Sequence, residues 1–128
     1  MIVDASAVVA IVFQEPGYER LIDVLRERGP SGLAAPTFVE AGIVISARLQ
    51  DDGSALLHRL IAELDIHLVP FGEEHARAAV SAWLRFGKGR HPAALNFGDC
   101  IAYSVAKLSR TPLLCTGTDF TKTDLEIA

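Results

Sequence analysis

Met1-Ile2-Val3-Asp4-Ala5-Ser6-Ala7 opens the chain. Ile2 and Val3 suit a buried strand, and Asp4 is a favoured N-cap for the small-residue segment that continues to Phe13. The stretch therefore reads as a short strand that ends on an acid and turns directly into a helix. The rest of the chain alternates in the same way. Leu33-Ala34-Ala35 is a short strand candidate, and Pro36 and Thr37 open a helix in which Val39, Ile43 and Ala47 share a face. Ile66 to Phe71 reads as another strand, and Leu113-Leu114-Cys115 as a last one stopped at Gly117. Apolar residues at helical spacing mark the intervening elements: Tyr18, Leu21, Ile22 and Leu25; Leu57, Leu60, Ile61 and Leu64; Ala76, Ala79, Val80 and Trp83; Ile101, Val105 and Leu108. Short apolar strands alternating with helices predict an α/β domain with a mostly parallel sheet.

The chain has 128 residues, which suits one domain spanning residues 1–128. Half the residues are hydrophobic and 22% are charged, which excludes an intrinsically disordered chain. No apolar run reaches the ~18 residues of a membrane span, and the basic start of an export signal is missing, so no membrane association is expected. Cys100 and Cys115 form neither a CxxC pair nor a zinc-finger spacing, and a reduced, cytoplasmic setting is the simple expectation. The formal net charge of −4 argues against coating of duplex DNA, which needs a broad basic surface. It leaves room for a nucleic-acid enzyme whose site is built from carboxylates and filled by a divalent cation.

Four acids stand where such an architecture gathers chemistry, outside the carboxyl ends of the strands. Asp4 ends the first strand, and Glu40 lies early in the helix after the second. Asp99 opens the helix that leads to the last strand, and Asp119 follows that strand. Each also has an ordinary explanation. Asp4 can cap a helix, Glu40 can form a capping box with Thr37, Asp99 can serve as a first-turn acid after Asn96, and Asp119 can be a turn residue. Those explanations do not account for four acids facing one point. Carboxylates ~4 Å apart repel by about 4 kcal/mol at an effective dielectric near 20. Mg2+, or Mn2+ in its place, removes that penalty, because hard divalent ions take oxygen ligands.

Four segments together carry a family resemblance. They are Met1-Ile2-Val3-Asp4-Ala5-Ser6-Ala7, Pro36-Thr37-Phe38-Val39-Glu40, the run from Lys88 through Asn96-Phe97-Gly98-Asp99-Cys100, and Leu113-Leu114-Cys115-Thr116-Gly117-Thr118-Asp119-Phe120. In order and spacing the chain resembles the PIN-domain ribonucleases, specifically the VapC-type toxins of type II toxin–antitoxin pairs. The resemblance implies a PIN-like three-layer α/β/α domain with a short central sheet. It implies Mg2+-dependent endonucleolytic cleavage of RNA by an activated water, in-line, leaving a 5′-phosphate. Asp4 and Asp99 match the family's metal acids, and Glu40 and Asp119 match acids that act directly or through water. Ser6 and Thr116 match supporting polar positions. Some members carry an extra acid between Thr116 and Asp119, where Gly117 and Thr118 stand here, which leaves one metal or two open. The resemblance also implies a cognate VapB-like antitoxin, held among the early helices, and a homodimer.

Arg85, Lys88, Arg90 and His91 form a basic stretch before Asp99 and are expected to guide an RNA backbone, with a solvated loop as the alternative. His58, His67 and His75 show no metal-ligand spacing. Two other functions are compatible with part of the pattern. A haloacid-dehalogenase-like phosphatase needs a second Asp two residues after the first, where Ser6 stands. A catalytically inactive PIN-type module for RNA or protein binding would not need the acids, and all are present.

Overall fold

Strand β1 (Ile2–Val3) is the axis of the sheet, because the chain leaves it in both directions. The computed structural model describes residues 1–128. β1 pairs in parallel with β2 (Ser31–Ala34) on one side and with β4 (Leu113–Leu114) on the other, and β3 (Ile66–Val69) adds outside β2. The order is β3-β2-β1-β4, all parallel, with Ile2 opposite both Gly32 and Leu113. The reversal of direction at β1 is a topological switch point, where parallel sheets open a crevice at their carboxyl ends.

Side-chain alternation along these strands divides the core in two. Val3, Leu33, Ile66 and Leu114 pack beneath α1 (Ala5–Val12), α2 (Tyr18–Arg28), α3 (Ala35–Leu49) and α4 (Ser54–Glu63). Ile2, Ala34 and Leu113 face α5 (Glu73–Phe86) and α6 (Phe97–Ser109) on the other side. The result is the three-layer α/β/α arrangement expected. Leu33 and Leu113 are fully buried, and truncating either to Ala should cost about 2–5 kcal/mol.

Three expectations shift. The second strand begins two residues earlier than expected, at Ser31, and Ala35 already belongs to the helix. The α3 stripe Val39, Ile43 and Ala47 is real but faces outward, while Thr37, Ala41 and Ile45 fill the core. The early helices, where the resemblance implies an antitoxin is held, spend much of the apolar faces of α2 and α4 on the protein's own core: Leu25, Leu57, Ile61 and Leu64 are buried there. No helix is long and apolar enough to cross a membrane.

Candidate active site

Asp4 lies between β1 and α1, Glu40 on α3 after β2, Asp99 in the first turn of α6 and Asp119 in the turn after β4. Asp4 follows β1 with extended backbone and caps α1: its Oδ2 accepts the Ser6 N–H at 3.0 Å and the Ser6 hydroxyl at 2.5 Å. The Ser6 oxygen in turn accepts the Thr116 N–H at 3.1 Å, which ties the end of β1 to the end of β4. Ser6 thus supports Asp4 directly, while Thr116 contributes its backbone rather than a visible side-chain contact.

The ordinary explanation of Asp4 as a cap is therefore correct and incomplete. The residue is only 4% exposed and has no cationic partner. Burial pushes its carboxyl above the usual range, partly offset by the donors from Ser6 and by the Ala5 N–H. A cap needs no such burial, and a buried carboxylate without a counter-ion is costly.

Asp99 is also a cap. Its Oδ2 accepts the Asn96 N–H and its own N–H donates to Asn96 Oδ1, both at 2.9 Å, closing a capping box at the start of α6. Burial raises its carboxyl, the Asn96 N–H lowers it, and the charges of Asp4 and Asp119 raise it again. Glu40 is different. Its expected capping box with Thr37 does not form, because α3 starts at Ala35 without a side-chain cap and Thr37 points into the core with its hydroxyl unpaired. Glu40 makes no hydrogen bond; burial raises its carboxyl first, then the charges of Asp4 and Asp99. Asp119 sits on the exposed turn after β4, with Lys122 Nζ 4.0 Å from its Oδ1.

The acids placed on four separate elements therefore sense one another's charge at one end of the sheet. Two participants were not read from the sequence. A Cβ on Gly98 would overlap both carboxylate oxygens of Glu40, so only glycine lets that side chain lie over the first turn of α6. Cys115 borders the same cluster: burial, then Asp4, Asp99 and Asp119, push its thiol up to about 12, so it stays protonated. A glycine inside a helix start is the signal that could have exposed the first; nothing in the sequence marks the second.

The donor set fits a hard divalent cation. It is all oxygen, it is anionic, and Asp4, Glu40 and Asp99 lack any cationic partner among the protein's own ion pairs. No three of the Asp, Glu, His and Cys side chains close on a single point at ligand distance, so binding requires side-chain adjustment. Glu40, whose carboxylate makes no hydrogen bond, is the member with the most freedom to supply it.

The basic stretch is more tied to the fold than expected. Arg85 reaches Asp124 at 3.4 Å and lies over the Phe86 ring; Arg90 Nε donates to the Leu84 carbonyl at 3.2 Å and its guanidinium lies over Trp83. His91 Nδ1 accepts the Ala93 N–H at 3.1 Å. Lys88 is exposed and its ammonium has no partner. The other histidines lie apart, His58 against Phe38, His67 2.9 Å from Asp65 and His75 on Phe71.

The PIN domain family model matches residues 1–126. Ribonuclease VapC36 of Mycobacterium tuberculosis is 46% identical over 127 residues, covering 98% of this chain and 91% of that protein. Ribonuclease VapC of Mycolicibacterium smegmatis is 38% identical over 125 residues, covering 98% and 97%. Among solved structures, VapC20 of Mycobacterium tuberculosis, a Sarcin-Ricin loop cleaving toxin, superposes with a TM-score of 0.78 at 10% identity over 99% of this chain and 97% of that one. VapBC2 from Rickettsia felis, bound to a DNA fragment from its promoter, gives 0.71 at 11% identity over 99% and 96%. Sequence and fold agree: the chain belongs to the PIN-domain family, among the VapC ribonucleases.

Proposed function

We propose that the chain is a Mg2+-dependent endoribonuclease and the toxin of a type II toxin–antitoxin pair, restrained by a cognate VapB-like antitoxin. The observation that carries this reading is the buried, cation-free carboxylate of Asp4, with Asp99 and Glu40 within charge range at the switch point. Asp4 and Asp99 would hold the ion, with Glu40 and Asp119 acting directly or through water. When bound, the ion would lower the pKa of a coordinated water and stabilise charge on a phosphoryl oxygen. The protein's part is orientation. Ser6 holds Asp4, Asn96 holds Asp99, and Gly98 makes room for Glu40 to receive the proton of an attacking water. Lys88 and, after release from Trp83, Arg90 would contact the RNA backbone, with His91 and Arg85 holding the loop in shape. A purified chain should cut single-stranded RNA with Mg2+ and not with chelator, and Asp4→Asn should not cut at all. Hydrolysis of a small phosphomonoester in place of RNA would favour the phosphatase alternative.

The same cluster explains restraint. An uncompensated anionic site accepts a Lys or Arg side chain, and the hollow between α3 and α4, lined by Phe38, Val39, Gly42, Ile43 and Leu57, suits an apolar antitoxin segment. A homodimer is supported by an adjoining surface that shares Val39 and Ile43 with that hollow. Phe97 is 84% exposed, and Val39, Ile43, Val80 and Trp83 surround it on the walls of two adjoining hollows. Together they expose roughly 600 Å², approaching the ~800 Å² per partner of a standard interface. Sedimentation should show a dimer that Phe97→Asp converts to a monomer. The proposed setting is the cytoplasm, where RNA and antitoxin are both available.

A further inference from the structure

Asp124 lies outside the acid cluster, in the tail after β4, yet it collects three cationic or hydroxyl donors. Tyr103 Oη donates to its Oδ1 at 2.6 Å, Lys107 Nζ reaches Oδ2 at 2.8 Å, and an Arg85 nitrogen lies 3.4 Å from Oδ2. Burial alone would raise its carboxyl, but the hydrogen bonds from Lys107 and Tyr103 and the charges of Lys107 and Arg85 outweigh that and hold it at about 2. Tyr103 is buried, and all three donors stand on α5 and α6. The tail beyond is stitched to β4, with the Leu113 N–H donating to the Glu126 carbonyl and the Ala128 N–H to the Leu113 carbonyl, each at 2.9 Å.

The segment carrying Asp119 is anchored on both sides of an exposed turn. Upstream, the Thr116 N–H is held by Ser6. Downstream, Phe120 is buried and Asp124 is gripped by the two helices. Between them Gly117, Thr118 and Asp119 are exposed, and the Asp119 carboxylate has only the 4.0 Å contact to Lys122. Its direction is therefore inherited from its anchors.

We propose that Asp124, gripped by Tyr103, Lys107 and Arg85, is a positioning latch that aims Asp119 at the cluster of Asp4 and Asp99. The inference rests on the reading of those acids as a cation site and adds a residue remote from it. A latch that merely fastened the tail would affect unfolding and leave cation affinity alone.

The test uses the full chain, with Asp124→Asn and, because that variant can lose stability, Tyr103→Phe as a milder change on the other side of the contact. Amide hydrogen exchange of the metal-free protein should speed up at residues 116–120 while β1 to β3 stay protected. The Mn2+ concentration that half-saturates the protein, read by calorimetry, should rise about tenfold, the low end of what outer partners of metal ligands contribute. In an Asp119→Asn background the same changes should add less than about twofold, since coupled residues are not additive. Faster exchange with unchanged Mn2+ affinity overturns the proposal, as does unchanged exchange or a full additional loss in the Asp119→Asn background. A wild-type chain that binds Mn2+ but cuts no RNA refutes the proposed function and leaves the latch test readable. A wild-type chain that binds no Mn2+ overturns both.

Discussion

Gly98→Ala separates the geometry of the site from the stability of the fold. In an ordinary helical position Ala is favoured over Gly by up to about 1 kcal/mol. At position 98 the added methyl overlaps both oxygens of Glu40. The obstacle is the end of a flexible side chain, not backbone, so Glu40 swings away and α6 keeps its place. The cost of the rotation is on the order of 1 kcal/mol, comparable to the helix gain and opposite in sign. Denaturant unfolding should therefore move by less than about 1 kcal/mol in either direction. Cleavage should suffer far more, because a carboxylate displaced by about 1 Å can cost 10²-fold in rate. Combining Gly98→Ala with Glu40→Ala removes the obstacle, and the helix gain should then appear as added stability. The assays are urea unfolding and cleavage of a labelled RNA in Mg2+. Wild-type cleavage by Gly98→Ala would refute the placement of Glu40 in the working site, and loss of folding would refute the claim that Glu40 is the part that yields.

Other outcomes follow from the same electrostatics. Burial raises Asp4, Glu40 and Asp99 in the folded state, and repulsion from neighbouring acids adds to it at Glu40 and Asp99, so the fold binds protons more readily than the unfolded chain between the ordinary carboxylate value of about 4 and their raised values. The metal-free protein should lose stability as pH rises through that window, and Glu40→Gln should flatten the slope seen in thermal unfolding. Asp124 works in the opposite sense: its contribution is present above about 4 and lost as pH falls toward 2. Ser6→Ala removes both the hydroxyl that donates to Asp4 and the acceptor of the Thr116 N–H, and should cost about 1–3 kcal/mol in chemical denaturation together with most of the cleavage. Replacing Lys88 and Arg90 by Ala should lower the slope of log affinity against log salt by about 0.7 per lost phosphate contact on single-stranded RNA. An unchanged slope in filter binding would show that the loop plays no part in holding RNA.

Asp4, Asp99 and Asp119 were legible because each sits where sequence marks an element's end: Asp4 after two β-branched residues, Asp99 after a capping Asn, Asp119 after a buried Leu pair. What sequence could not supply came from tertiary contact. Two apolar stripes run along α3 at the same period, Val39/Ile43 and Ala41/Ile45, and only the sheet decides which goes inside. β2 begins at Ser31 and Gly32, poor strand formers by themselves. Gly32 is tolerated because a Cβ there would come within 2.7 Å of Val69 and 2.9 Å of Ile2. Thr37-x-x-Glu40 has the pattern of a capping box, but Ala35 starts the helix and turns Thr37 inward, which frees Glu40 for the cluster. Gly98 and Asp124 matter through what approaches them from distant parts of the chain, and no local pattern records that.

The central claim is that separated side chains hold a divalent cation that directs water onto a phosphodiester. It is tested most directly by sequencing the ends of RNA cut by the purified chain in Mg2+, beside Asp4→Asn under the same conditions. The account predicts a 5′-phosphate on the downstream fragment, a 3′-hydroxyl upstream, and no cut ends with Asp4→Asn. A 2′,3′-cyclic phosphate, or cleavage that survives Asp4→Asn, would contradict it.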